Sequence, residues 1–207
     1  MKFIKLRKFA RKYFFPIKAK GKGNIINLHK TVVKNNAIIS VYGENSSIFI
    51  GKNCNLTNVD IILIGDNNSL TIGPNTKISG PAKILLEGNS TFVIGEGCGI
   101  RTSEILLRDA NIFIGQKCMF AHGIIIRNHD SHKIFNRESQ LIQNEPKDIH
   151  IGNHVWLGQN CTILKGTKIG DDSVIATGAI VTKGCGNGCI LAGNPAKIVK
   201  ENITWDY

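Results

Sequence analysis

Residues 151–181 read IGNHVWLGQNCTILKGTKIGDDSVIATGAIV, and an aliphatic residue stands at every sixth position of this stretch. Four places after each aliphatic residue comes a small or compact one. This period matches neither a helix nor a simple strand, and it suits a short strand plus a turn that repeats as the sides of a prism. The aliphatic positions are Ile151, Leu157, Ile163, Ile169, Ile175 and Val181, and the small positions are Val155, Cys161, Thr167, Ser173, Ala179 and Cys185.

The middle of the chain carries the same unit with insertions. An Ile-Gly pair recurs at spacings of 22, 22 and 20 residues, and each pair is followed six residues after its isoleucine by another aliphatic or aromatic residue. We therefore predict an all-β solenoid whose aliphatic side chains point inward. About six or seven coils, stacked at roughly 4.8 Å, would form a column about 30 Å tall. The pairs begin at Ile50, Ile72, Ile94 and Ile114.

Most of the cysteines fit the repeat as packing residues. Cys54, Cys98, Cys118 and Cys161 each stand four places after an aliphatic position, in the predicted small inward slot. A free cysteine behaves as a small hydrophobic residue, so this slot suits it. The six cysteines form no C-x-x-C pair, and their spread does not resemble a zinc site. We therefore expect no metal.

The basic charge is confined to the start of the chain. Of the 207 residues, the first 43 hold eleven Lys or Arg and no acidic residue, whereas the rest hold fifteen of each sign. The balanced body does not read as a nucleic-acid-binding surface. No apolar run is long enough to cross a membrane, and basic residues interrupt any signal-peptide core. We therefore expect a cytoplasmic protein.

The first residues predict an amphipathic leader. Residues 2–15 place their aromatic and aliphatic side chains on one side of a helix and their basic side chains on the other, and Pro16 ends it. Such a helix either touches an anionic membrane or packs on protein. Residues 18–24 look like a flexible linker. We expect a leader over residues 1–24, a solenoid over 25–200 and a tail over 201–207.

Residues 127–148 interrupt the repeat with a polar segment. Extra segments in solenoids map to loops, often on the binding face. This loop holds His129 and His132 with Asp130 between them. Histidine is the usual general base near neutral pH, so the loop is the candidate catalytic segment.

The repeat and the loop resemble the hexapeptide-repeat acyltransferase family, whose members fold as a left-handed parallel β-helix. The resemblance covers about residues 30–200. In the family's sugar and antibiotic O-acetyltransferases, the catalytic histidine lies about 24 residues before the tryptophan of a Val-Trp-Ile-Gly-like motif. Here His132 precedes Trp156 by 24 residues. The Asp-Ser-His-x-Ile loop and the final Glu-Asn-Ile-Thr-Trp-Asp-Tyr most resemble capsule and surface-polysaccharide O-acetyltransferases.

The resemblance also implies a cosubstrate and an assembly. It makes acetyl-CoA the acetyl donor, and it implies a homotrimer with active sites between neighbouring subunits. His132 would be the general base, and Asp130 would orient or charge-balance its imidazole. The loop Gly193-Asn194-Pro195-Ala196-Lys197 would close over the cosubstrate. The residues expected to contact acetyl-CoA are Trp156, Gln159, Thr177, Thr182, Lys183 and Lys197.

The acceptor remains open at this level. Family members that acetylate simple sugars place an asparagine upstream of the loop, where this chain reads Ile100-Arg101-Thr102-Ser103. Arg101 would instead face an acidic glycan, with His129 as a second residue on the substrate side. The sequence predicts O-acetylation of a surface-polysaccharide hydroxyl, and N-acetylation of a nucleotide-linked amino sugar is the alternative.

Two further classes are less compatible with the residues. The γ-class carbonic anhydrases share the fold, but two of their three histidine ligands lie five residues apart. No two histidines of this chain have that spacing. A non-catalytic scaffold would have no need of His132, Trp156 and the Gly-Asn-Pro-Ala-Lys loop together.

Overall fold

The computed structural model describes residues 17–206, and it is a parallel β-helix with three walls. Strands of successive coils pair in parallel, so each wall is a ladder of short rungs. The third wall is a separate sheet of seven strands. Its strands are β2 (Ile25–Leu28), β5 (Ser47–Ile50), β7 (Ser69–Ile72), β9 (Thr91–Ile94), β12 (Ile112–Ile114), β15 (Ile149–Ile151) and β18 (Lys168–Ile169).

The first and second walls form one sheet, because two long strands, β6 (Asn55–Ile64) and β8 (Lys77–Glu87), bend around the corner between them. The first wall also contains β3 (Val33–Asn35), β10 (Gly99–Ile100), β13 (Met119–Phe120), β16 (Trp156–Leu157), β19 (Val174–Ile175) and β21 (Ile190–Gly193). The second wall also contains β1 (Ile17–Lys20), β4 (Ile38–Tyr42), β11 (Ser103–Arg108), β14 (Ile124–Arg127), β17 (Thr162–Leu164) and β20 (Ile180–Val181). The last strand, β22 (Ala196–Lys200), pairs antiparallel with β21.

The core confirms that the aliphatic side chains of the repeat point inward, as predicted. Leu157 is fully buried and stacks in register between Phe120 and Ile175, whereas its neighbour Trp156 points outward and is 44% exposed. Cys54, Cys98, Cys118 and Cys161 all lie in the core as free thiols, so their prediction as packing residues is confirmed. Burial raises the pKa of the Cys161 thiol to about 12, which keeps it protonated and unreactive near neutral pH.

Asparagine makes many of the corners between the walls. Asn53, Asn75 and Asn160 have φ angles of 57°, 58° and 57°, in the left-handed region that asparagine tolerates better than most residues. At Gly43 the chain passes so close to the next coil that a Cβ would lie 2.1 Å from the carbonyl oxygen of Gly65. Between Ile50 and Ile169, and apart from the coil that carries the insertion, these turns let the coils close in 18 to 22 residues, as the sequence spacing indicated.

The start of the solenoid differs from the prediction. Ile17–Lys20 form strand β1, which pairs with β4, so the expectation of a flexible linker over residues 18–24 is wrong for this part. Because the chain enters the ladder earlier than the repeat suggests, the second wall has eight rungs where six or seven coils were predicted. The predicted helix over residues 2–15 lies outside the described residues. Within residues 17–206, no helix has the length and hydropathy needed to cross a membrane.

Candidate active site

The predicted insertion protrudes at the corner between the second and third walls, which we call the second corner. The chain leaves the second wall after β14 and rejoins the solenoid at β15, on the third wall. Asn128 and His129 are buried at the root of the insertion, and residues 130–141 are exposed. A bridge between Phe135 and Ile142 folds the segment back on itself. We call residues 128–148 the insertion loop.

Asp130 holds the insertion loop to the solenoid. Its carboxylate accepts a hydrogen bond from the Lys165 ammonium at 2.5 Å and another from the Asn144 amide at 2.8 Å. The hydrogen bond from Lys165, followed by that from Asn144, lowers the pKa of the Asp130 carboxyl. Among the described contacts Asp130 makes none with the imidazole of His132. In a single chain the described contacts of Asp130 anchor the loop, and its expected role of orienting or charge-balancing that imidazole stays a prediction.

His132 lies on the exposed part of the insertion loop, beyond this anchor. Its backbone carbonyl accepts a hydrogen bond of 2.8 Å from the same Asn144 amide that binds Asp130. Its imidazole is exposed, so an acceptor from solvent or a neighbouring subunit can reach it. Lys165 also donates to the Asn144 carbonyl at 2.8 Å, so a small network fixes the backbone around the histidine.

His129 has the opposite environment. Its side chain is almost fully buried at the loop root, and its Nδ1–H donates to the Asp130 carbonyl at 3.1 Å. Burial is the main cause that lowers the pKa of His129, and the nearby charges of Arg108 and Arg127 lower it further. The imidazole is therefore neutral at physiological pH. The sequence predicted a substrate contact for His129, whereas the structure places it inside the loop root.

The residues expected to bind acetyl-CoA fall into two groups. Trp156 lies on the first wall, and Gln159 and Thr177 lie exposed at the corner between the first and second walls, where the Gly178 amide donates to the Gln159 carbonyl at 2.8 Å. We call this corner between the first and second walls the first corner. Lys197 lies beside it, on β22 opposite Ala192. Thr182 and Lys183 instead follow β20 at the second corner.

Arg101 lies on the first wall. It lines a groove of about 400 Å³ together with Lys77 and Met119. Met119 is the register partner of Trp156, so the groove begins one rung before the tryptophan. Two cations, Arg101 and Lys77, border it, which suits an acidic ligand.

One chain does not bring His132 and Trp156 together. The tryptophan is on the first wall and the histidine is beyond the second corner, so the whole second wall, including β17, lies between them. Within residues 17–206, no cluster of three or more His, Cys, Asp or Glu side chains has a metal-binding arrangement.

The sequence reasoning missed the residues that support the site. Lys165 and Asn144 anchor the insertion loop, and Trp205 packs beside Trp156 with 6.0 Å between ring centroids. A signal for Trp205 was present, because the chain has only two tryptophans and one of them had already been assigned to the site. For Lys165 no signal was available, since it occupies an ordinary outward position of the repeat.

The comparisons with known proteins agree with the fold. Residues 148–183 match the family described as bacterial transferase hexapeptide (six repeats). The polysialic acid O-acetyltransferase of Escherichia coli O1:K1 is 41% identical over 102 residues, which are 49% of this chain and 33% of that protein. The Neisseria meningitidis polysialic acid O-acetyltransferase is 44% identical over 95 residues, 45% of this chain and 44% of that protein. The chain thus matches less than half the length of these curated relatives.

Two solved structures match nearly the whole solenoid. The polySia-specific acetyltransferase NeuO superposes with a TM-score of 0.86 at 36% identity, covering 93% of this chain and 89% of that one. The polysialic acid O-acetyltransferase OatWY superposes with a TM-score of 0.89 at 38% identity, covering 92% and 91%. This agreement confirms the predicted fold class, the left-handed parallel β-helix.

Proposed function

We propose that this chain, which belongs to the bacterial hexapeptide-repeat transferases, moves an acetyl group from acetyl-CoA to a hydroxyl of a surface polysaccharide or of its precursor. The observation that carries the proposal is the match to two polysaccharide O-acetyltransferases across almost the whole chain. The exposed His132 on the insertion loop and the outward Trp156 add the two side chains that the chemistry needs.

His132 acts as the general base in this proposal. It removes the proton of the acceptor hydroxyl while that oxygen attacks the thioester carbonyl carbon. The carbon–sulfur bond then breaks, and the thiolate of coenzyme A leaves with the electron pair and takes up a proton. No covalent enzyme intermediate is needed. The network of Asp130, Lys165 and Asn144 supports the step by fixing the loop backbone that carries the imidazole.

Acetyl-CoA lies along the outward residues of the first corner in this proposal. Trp156 offers an apolar ring, and Gln159 and Thr177 offer polar groups to the pantetheine arm. Lys197 is an exposed ammonium group beside this corner, and such a group neutralises phosphate well. Thr182 and Lys183 lie exposed at the second corner, so in this proposal they contact acetyl-CoA on the first corner of a neighbouring subunit.

A homotrimer completes the site. His132 and Trp156 are separated by a wall within one chain, so a neighbouring subunit supplies one of them. The outer surface of the second wall supports such packing, because it carries several outward aliphatic side chains, of which Ile62, Leu85 and Leu106 follow one another in register. These side chains are Ile62, Leu85, Leu106 and Leu164, which are half-buried, and Ile64 and Ile125, which are 43% and 38% exposed.

Thiol release tests the activity directly. The purified 207-residue chain is incubated with acetyl-CoA and one acceptor at a time: an acidic polysaccharide, a neutral polysaccharide or a nucleotide-linked amino sugar. We expect free coenzyme A to appear with a hydroxyl-bearing polysaccharide, and most strongly with the acidic one because of Arg101 and Lys77. Release only with the amino sugar would establish the N-acetyltransferase alternative, and no release with any acceptor would end the proposal.

Peripheral membrane contact through residues 2–15 is the remaining part of the proposal, and these residues lie outside the described ones. Deletion should stop at residue 16, because β1 begins at Ile17 and belongs to the ladder. We expect the shortened chain to keep its turnover on soluble acceptors but to stop pelleting with anionic vesicles, as the full chain should in high salt. Aggregation or loss of the trimer on deletion would instead give the segment a structural role.

A further inference from the structure

The C-terminal tail runs back along the outside of the solenoid. After β22, the amide of Ile203 donates to the Gly188 carbonyl at 3.0 Å, and Trp205 then reaches the rung of β16. On the first wall β16 is followed by β19 and β21, so the tail ends two rungs before the last one. A segment that only closed the end of the core would stay at the last rung. The position of Trp205 therefore needs another explanation.

Trp205 is held in one orientation by His154. The two rings stack with their centroids 4.2 Å apart and their planes within 10°. The indole Nε1–H also donates to the His154 carbonyl at 2.7 Å. The imidazole is in turn bound through Nδ1 to the Asp172 carboxylate at 2.8 Å. A ring that is both stacked and hydrogen-bonded has little freedom to rotate.

The fixed ring of Trp205 meets Trp156. The centroids are 6.0 Å apart, a separation that aromatic pairs favour, and the planes are tilted by 45°. Trp156 nevertheless stays 44% exposed, so part of its ring remains open for a ligand. An outward tryptophan on a flat wall would otherwise sample several rotamers, and a ligand that stacks on it would have to stop that motion.

We propose that Trp205 is a positioning residue that holds the Trp156 indole ready for acetyl-CoA, so that the C-terminal tail is part of the cosubstrate site. The inference rests on the proposed contact between Trp156 and acetyl-CoA. It assigns no chemical step to Trp205, which acts through its neighbour.

The test combines steady-state kinetics with direct binding. An aromatic pair is worth about 0.5–1.5 kcal/mol, so Trp205→Ala should raise the KM for acetyl-CoA about 2- to 13-fold with kcat nearly unchanged. Trp205→Phe keeps a ring in place and should restore most of the affinity. Thr204→Ala, an exposed neighbour in the same tail, is the matched control and should behave as the wild type. Calorimetric titration with coenzyme A should rank the affinities of the variants in the same order without any acceptor.

A double variant separates positioning from direct contact. If Trp205 acts only through Trp156, then Trp156→Ala with Trp205→Ala should raise the KM no further than Trp156→Ala alone. Additive effects would overturn the inference, and so would a Trp205→Ala chain that loses thermal stability but keeps its affinity for coenzyme A. If Trp156→Ala itself leaves coenzyme A binding unchanged, the proposed cosubstrate site is wrong. If the chain binds coenzyme A but releases no thiol with any acceptor, only the proposed reaction fails.

Discussion

His132 and His129 are three residues apart but have different surroundings, and only the exposed His132 is open to a substrate. The ring of His132 is exposed on the insertion loop, whereas that of His129 is buried at its root. An exposed imidazole can accept a proton from a substrate hydroxyl. A buried one that is already bound to a backbone carbonyl is part of the packing.

The first prediction concerns the base. His132→Ala should lower kcat by about 10²–10⁴-fold, the usual contribution of general-base catalysis, while the affinity for coenzyme A stays within about twofold. Steady-state thiol release measures kcat, and calorimetric titration measures the affinity for coenzyme A. His129→Gln is the control, and it should cost far less because its ring is not exposed to the acceptor. Wild-type turnover in His132→Ala, or loss of turnover confined to the His129 variant, would show that the assignment is wrong.

The second prediction concerns pH and stability. The pKa of His129 in the folded chain is lower than its value of about 6.5 in the unfolded chain, so the unfolded state binds more protons as the pH falls. The stabilising effect of the neutral ring is present above pH 6.5 and is lost progressively below it. Urea unfolding at pH 7.5 and 5.5 should show a larger loss for the wild type than for His129→Gln. If both chains lost the same unfolding free energy, His129 would not be a buried, neutral histidine.

At the scale of elements, an ion pair at the second corner helps to hold the insertion loop on the solenoid. Asp130 and Lys165 are 35 residues apart in sequence, and their contact ties the loop to the strand β17 that precedes Lys165. The carboxylate side chain is 44% exposed, so the pair adds little to overall stability. We expect the ion pair instead to keep the insertion loop in one conformation.

The third prediction follows from that anchor. Lys165→Met should lower kcat by about tenfold, less than the about 10²-fold that a 1 Å displacement of a catalytic group costs, and should change the unfolding free energy by at most about 1 kcal/mol. Lys168→Met removes the same charge from an exposed position on the third wall and serves as the control. The anchor would have no catalytic role if the two variants gave the same kcat.

At the scale of the molecule, the separation of His132 and Trp156 makes assembly testable by complementation. His132→Ala and Trp156→Ala chains are co-expressed in equal amounts and assayed at an acetyl-CoA concentration well below the KM of the Trp156 variant. In random trimers whose sites combine one residue from each neighbour, about a quarter of the sites are intact. This fourth prediction is therefore recovery of about a quarter of the wild-type rate.

Two outcomes would contradict the shared site. If the co-expressed mixture is no more active than its two parents, each chain holds a whole site by itself. If the wild type is a fully active monomer by light scattering, the trimer is not needed at all. Either result would require the second wall to bend or the insertion loop to fold over it.

The sequence alone determined the prism and the direction of its side chains. The reason is that a six-residue period is local: each rung repeats the same choice of inward Leu157 and outward Trp156. The insertion was also visible, because it breaks that period. These features need no knowledge of which distant residues meet.

Tertiary structure decided whatever depends on contacts between distant parts of the chain. Ile17–Lys20 carry no repeat signal, and they become a strand only because β4 offers a ladder to pair with. Asp130 gains Lys165 as a partner at the second corner, a contact that the sequence did not indicate. Trp205 meets His154 from 51 residues away because the tail turns back along the wall. Such partners are set by the way the coils stack, and a pattern that repeats within each coil carries no information about them.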